Sequence, residues 1–129
     1  LFYDLFSETC SYLNQKGFQV RFQVEWLEAK IRISTEYLLR IMDNITSNLV
    51  KYADPAFPVV ISSARERHMA GFTFENHVRS PKEEVESSGI GIQSMKNMTH
   101  AMGGRCVEEG LGDLYRLTVL FPIIEEQET

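Results

Sequence analysis

The sequence predicts an α+β two-layer sandwich, with a mixed and mostly antiparallel sheet and about three helices on one face. Three observations lead there. The chain has 129 residues, enough for one hydrophobic core at roughly 100–200 residues per domain. Apolar residues recur at helical spacing in three stretches and at alternate positions in several others. The order is α, β, β, α, β, β, loop, α, β, β, and strands that come in pairs between helices suit an antiparallel or mixed sheet better than alternating βαβ units.

Residues 1–16 carry Leu1, Leu5, Phe6 and Leu13 among polar residues and end at Gly17, the pattern of a short amphipathic helix with a glycine cap. Phe18 to Trp26 alternates, with Val20, Phe22 and Val24 on one parity against Gln19, Arg21 and Gln23, which predicts a half-buried strand. A second strand, Ala29 to Ser34, is expected to pair with it. Ser34 and Thr35 are natural N-caps for a helix from Glu36 to about Ala53, whose apolar positions are Leu38, Met42, Ile45, Leu49 and Ala53. Asp54, Pro55 and Pro58 stop that helix. Val59–Ala64 and Phe72–Phe74 read as strands. Residues 77–88 are polar and charged, with few side chains fit for a core, and read as a mobile loop. Ile92, Met95, Thr99 and Met102 mark a third helix closed by Gly103 and Gly104. Cys106–Glu109 and Leu114–Phe121 are the last strands, around a Gly110-Leu111-Gly112 turn.

Composition narrows the function. Thirteen Lys and Arg against eighteen Asp and Glu give a net charge of −5, and the basic residues are scattered, which argues against duplex nucleic acid. No apolar run approaches the ~20 residues of a membrane-spanning helix, so no membrane contact is expected of these residues. Cys10 and Cys106 stand far apart without a CxxC, which fits a reduced, cytoplasmic setting rather than a disulfide scaffold or zinc site. The chain has no initiator Met and no leader pattern, and it is expected to be one domain, residues 1–129, of something longer.

At about 100° per residue, Asn44, Asn48, Lys51 and Tyr52 share roughly a third of the helix circumference, beside the apolar arc. Such a stripe is either a solvated flank or the lining of a groove that holds water or ligand, because unsatisfied buried polar groups cost ~1–3 kcal/mol each. Ser88-Gly89-Ile90-Gly91-Ile92 lies directly before the third helix. It is either a flexible hinge or a place where phosphate approaches the backbone at a helix N-terminus. It is neither a P-loop nor a GxGxxG.

Taken in order, Asn44-x3-Asn48-x2-Lys51-Tyr52, then Asn76 at a strand end, a polar loop, Gly89-Ile90-Gly91-Ile92, Gly103-Gly104 and Phe121-Pro122, the chain resembles the ATP-binding catalytic domain of sensor histidine kinases. That domain has the Bergerat fold, shared with DNA gyrase, heat-shock chaperone ATPases and mismatch-repair ATPases. The resemblance covers about Glu36 to Pro122. It implies Mg²⁺ and ATP as cofactors, with Asn48 matching the Asn whose side-chain oxygen ligates Mg²⁺, Lys51 meeting phosphate, and Tyr52 lying against the nucleotide. It implies that Asn76, where the family usually has Asp, accepts a hydrogen bond from the adenine amino group. Residues 77–88 match the ATP lid, and Ser88, Gly89, Ile90, Gly91 and Ile92 the glycine box at the phosphates. Three departures stand out. His77 and Val78 replace glycine-bearing DxGxG positions, Leu49 replaces the common Ala, and the lid is short.

Related ATPases and anti-sigma serine kinases carry a general-base Glu one turn before the metal-binding Asn; here that position is Asn44. An amide takes up no proton at neutral pH, so Asn44 disfavours base-catalysed hydrolysis and serine phosphorylation, whereas a neutral imidazole acceptor needs no base. None of His68, His77 and His100 lies in the family's acceptor motif. The phosphoacceptor histidine is therefore expected in a dimerisation domain upstream, in a homodimeric parent that passes phosphate to a response regulator. The alternatives are a non-catalytic nucleotide-binding signalling module and an anti-sigma-type serine kinase.

Overall fold

The computed structural model describes residues 2–23, 33–79 and 89–123. Helix α1, Phe2–Gln15, ends at Gly17, whose φ of 93° suits the bonds from Phe18 N to Leu13 O (2.9 Å) and from Gly17 N to Asn14 O (3.1 Å). Strand β1 is Val20–Gln23 and helix α2 is Thr35–Tyr52. Strands β2, Val59–Arg65, and β3, Met69–His77, follow, then helix α3, Gly89–Ala101, and strands β4, Arg105–Leu111, and β5, Leu114–Pro122. One sheet runs in the order β1-β2-β3-β5-β4, with β1 parallel to β2 and every other pair antiparallel.

The expected mixed, mostly antiparallel sheet with three helices is therefore present among the described residues. Of the strand expected over 29–34, residues 29–32 lie outside the described residues. Ser34 instead caps α2, accepting from Tyr37 N at 3.4 Å and Leu38 N at 2.9 Å. Val24 to Trp26 also lie outside. Strand β3 is longer than Phe72–Phe74 because pairing to both neighbours carries the extended backbone through Met69–Gly71 and Glu75–His77. The β4–β5 turn falls at Gly112–Asp113, and β4 continues through Leu111.

Alternation builds the core. Val59 and Ile61 of β2, Phe72 and Phe74 of β3, Cys106 of β4, and Leu117, Val119 and Phe121 of β5 join Phe6 and Leu13 of α1, Leu38, Ile41, Met42, Ile45 and Leu49 of α2, and Ile92 and Met95 of α3 in one cluster. Phe6 meets Phe72 edge-on at 5.1 Å and Phe22 at 5.4 Å, so Phe22, 41% exposed on the outermost described strand, still touches the core. Residues of the other parity carry polar pairs such as Thr73–Thr118 (3.0 Å) and Arg116–Glu75 (2.8 Å). No helix among the described residues is long and apolar enough to cross a membrane. Burial pushes the Cys106 thiol up to about 11, which keeps it neutral and unreactive at pH 8. We expect iodoacetamide to label Cys106 only after urea unfolding, as a mass shift absent from the native protein.

Helix directions place the ends of the sandwich. Helix α2 finishes where β3 finishes: Ala53 bridges Val78, and Asp54 N donates to His77 O at 2.8 Å. Helix α3 finishes at the opposite end, where β4 starts opposite Leu120 of β5. Met102, directly after α3, accepts through Sδ from Ser34 N at 3.3 Å, beside the first turn of α2. The two helices pack on each other, so they run in opposite directions, and the first turn of α3 lies towards the C-terminal half of α2.

Candidate functional site

The apolar arc of α2 fixes its rotation, with Leu38, Ile41, Met42, Ile45 and Leu49 buried on the sheet. Asn44, Asn48 and Tyr52 are consequently half-buried along one flank, and Lys51 is exposed. The opposite flank faces α1 across an open groove of about 490 Å³, lined by Leu5 and Tyr12 of α1 and by Leu39, Thr46 and Val50 of α2. Lys51 also borders this groove. It thus sits on the rim between the two flanks rather than squarely beside the amides.

Asn76 belongs to the buried parity of β3, after Phe72 and Phe74, so it faces the helix layer and is only 5% exposed. Its Nδ2 donates to His77 O at 3.1 Å, which occupies the donor end of the amide and leaves Oδ1 on the other side as an acceptor. His77 is of the opposite parity. Its ring stacks on Phe57, with centroids 4.0 Å apart, and its Nδ1 is buried without a hydrogen-bond partner among the described residues. The imidazole therefore packs on the outer side of β3, away from Asn76.

Arg79 ties the strand end to the helix end. Its backbone N donates to Tyr52 O (2.9 Å), its Nε to Ala53 O (2.9 Å) and its Nη2 to Val50 O. These are carbonyls that a helix end leaves without intrahelical partners, and the cation also complements the negative end of the macrodipole. Arg79 is exposed, yet it caps α2. Nothing local signals this, because the partners lie some 26 and 29 residues away in the chain. Arg79→Met is expected to lower stability by about 1–2 kcal/mol, with Arg79→Lys recovering part of it, as read by thermal melting.

The first turn of α3 holds Gly89, Ile90 and Gly91 and contains no acidic residue. Ile92 buries itself in the core and anchors that turn. Backbone N–H groups at such a start have no intrahelical acceptor and carry partial positive charge, which suits a phosphate oxygen. Residues 80–88, Ser88 among them, lie outside the described residues. The described part of the site thus brings together the Asn44-Asn48-Tyr52 flank, Asn76 and the start of α3 at one end of the sandwich, with Lys51 on the rim. The described residues contain no cluster of three His, Cys, Asp or Glu side chains able to hold a metal. A Mg²⁺ here fits one amide oxygen from the chain, with phosphate and water completing the shell, as this ion prefers.

No family model matches the sequence. The sensor histidine kinase YrkQ of Bacillus subtilis (strain 168) is 33% identical over 103 residues, 80% of this chain; the chain spans only 24% of that relative. Among solved structures, the Acinetobacter baumannii histidine kinase AdeS is similar with a TM-score of 0.75 at 11% identity, over 96% of this chain and 66% of that one. The nucleotide-free catalytic domain of histidine kinase ThkA gives 0.73 at 12% identity, over 94% and 92%. Full-length ShkA in complex with AMPPNP gives 0.73 at 18% identity, over 95% of this chain and 30% of that one.

Proposed function

The chain belongs to the sensor histidine kinase family, and from that premise we propose that residues 1–129 form the domain that binds Mg-ATP and delivers its γ-phosphoryl group to a histidine elsewhere in the parent protein. The reading is supported chiefly by three polar features at one end of the sandwich: the amide flank of α2, the inward-facing Asn76 and the backbone N–H groups at the start of α3.

In this reading Asn76 Oδ1 accepts from the exocyclic amine of adenine, and Tyr52 lies against the nucleotide. Asn44 lines the cleft. Ser88, Gly89, Ile90, Gly91 and Ile92 bring the α3 start to the phosphates, and Lys51 reaches them from the rim. Asn48 Oδ1 would hold Mg²⁺, which supplies charge neutralisation at the phosphoryl oxygens when bound. The acceptor imidazole forms an N–P bond with its own lone pair while the bond from γ-phosphorus to the bridging oxygen breaks and ADP leaves. No side chain on the flank has to remove a proton, which is compatible with Asn44 and unlike what a serine acceptor or water requires. The protein's contribution is positioning and fixed positive potential.

A phosphoacceptor domain, a response regulator, a homodimeric parent and a cytoplasmic placement of this domain go with the proposal. Of the lid expected over residues 77–88, His77 ends β3, Val78 bridges Ala53 and Arg79 is bound to the end of α2, so the lid proper is assigned to the rest. Calorimetric titration with ADP tests it: saturable binding that strengthens with Mg²⁺ is expected, and no heat at millimolar ADP with or without Mg²⁺ would overturn it. The missing glycine of the DxGxG pattern after Asn76, where Val78 stands, favours a second reading as a nucleotide-binding module without transfer. A parent chain that binds ATP yet never labels a histidine selects that one.

A further inference from the structure

The last carbonyls of α2 have lost their helical donors. Val50 O would accept from Asp54 N, which donates instead to His77 O at 2.8 Å. Lys51 O would accept from residue 55, but Pro55 has no N–H. Tyr52 O and Ala53 O would accept from Ala56 N and Phe57 N, and these turn to Asp54 Oδ1 (3.0 Å) and Asp54 O (3.2 Å). Arg79 supplies replacements. Its backbone N reaches Tyr52 O, while its guanidinium reaches Val50 O through Nη2 and Ala53 O through Nε at 2.9 Å. The two carbonyls that the side chain grips bracket Lys51 and Tyr52 in the chain.

Lys51 is the residue with most to lose if that turn loosens. It is exposed and borders the groove between α1 and α2, whose lining also includes the carboxylates of Glu8 and Asp43. An ammonium on a frayed turn is drawn to those anions, on the flank opposite Asn44 and Asn48. We propose that Arg79 is a positioning residue for phosphate binding, which by capping the last turn of α2 keeps Lys51 directed to the phosphate oxygens instead of the groove. The proposal rests on the nucleotide reading above. Arg79 touches no ligand and acts through Lys51. Phosphate binds only the fraction of molecules in which the turn is wound, so loosening it raises the apparent dissociation constant in proportion. That loss has a ceiling: removing Arg79 can weaken ADP no more than removing the ammonium itself. The backbone bond to Tyr52 and the Ala53–Val78 bridge survive a change of side chain, so the base contact should persist.

The test is a double-mutant cycle of Arg79→Met and Lys51→Met, read by titration with ADP and with adenosine, both with Mg²⁺. Arg79→Lys is added, and every titration is run where thermal melting shows the protein folded. We expect ADP to weaken about tenfold in Lys51→Met and about fivefold in Arg79→Met. Arg79→Lys, with one nitrogen in place of the fork, should lie between Arg79→Met and wild type. On the Lys51→Met background, Arg79→Met should change ADP affinity by no more than about twofold, and adenosine should stay within about twofold throughout. A cap that merely supports the fold would weaken ADP and adenosine alike, and equally with or without Lys51. With the wild type binding ADP, a loss that persists on the Lys51→Met background, or an Arg79→Met protein that binds ADP as the wild type does, overturns this proposal and leaves the nucleotide reading standing. Failure of the wild type to bind ADP removes both.

Discussion

Gly71→Ala is expected to destabilise the protein by about 3 kcal/mol or more, an overpacking cost at the upper end for a single added methyl group. Gly71 sits in the central β3–β5 ladder opposite Leu120. A β-carbon there would lie 1.9 Å from Val119 O, 2.9 Å from Val119 C and 3.0 Å from Leu120 Cα. All three are backbone atoms of the neighbouring strand, so no side-chain rotation relieves the contact. The two strands would have to part in the middle of the sheet, where Phe72, Phe74, Val119 and Phe121 are packed. Against a total stability of roughly 5–15 kcal/mol, this is enough to unfold a large fraction of molecules near physiological temperature. Gly110, in edge strand β4, is the control: a β-carbon there meets nothing within 4 Å. Gly110→Ala should stay within about 0.5 kcal/mol of wild type, as an exposed change does. Urea midpoints of the two variants separate these outcomes, and a Gly71→Ala midpoint close to that of Gly110→Ala would contradict the steric account.

The contrast between those two glycines also shows what a sequence can and cannot carry. Local periodicity gave α2 almost to the residue, because its apolar arc and the Ser34 cap are both written within one stretch of chain. It truncated β3, because Ala70, Gly71 and Asn76 are poor strand formers on their own and are held extended by partners at β2 and β5. The strand order β1-β2-β3-β5-β4 and the parallel β1–β2 pair depend on long-range pairing, for which no local pattern exists. At the candidate site, the Asn44-Asn48-Tyr52 flank was legible as a helical stripe, and the family resemblance singled out Asn76. The inward direction of Asn76 follows from its β3 parity, once that strand is known to run through His77. Arg79 on the α2 carbonyls, His77 on Phe57 and Tyr115 opposite Asn76 each join distant segments, so they came only with the coordinates. Lys51 is the residue whose setting changed most in meaning, since its place on the rim is decided by where α1 packs.

Under the proposed function, Asn48→Ala should cut phosphohistidine formation by about a hundredfold or more, the scale of losing one pre-placed electrostatic contact in a transfer reaction. Asn48 projects from the same flank as Asn44, and the buried Ile45 and Leu49 beside them hold the helix in that rotation. Truncation to Ala removes the one amide oxygen proposed as a metal ligand and leaves the apolar arc intact. The fold should survive, because a half-buried polar side chain on a helix gives way to a better helix former. The variant should therefore melt no lower than wild type, while its ADP affinity ceases to respond to Mg²⁺. Asn48→Asp is the discriminating partner, since a carboxylate restores an oxygen ligand of the kind Mg²⁺ favours. Magnesium-dependent binding in Asn48→Asp, beside its loss in Asn48→Ala, ties the effect to the ligand oxygen rather than to shape. Equal magnesium dependence in Asn48→Ala and wild type would move the ion to another residue and leave Asn48 as a lining group only.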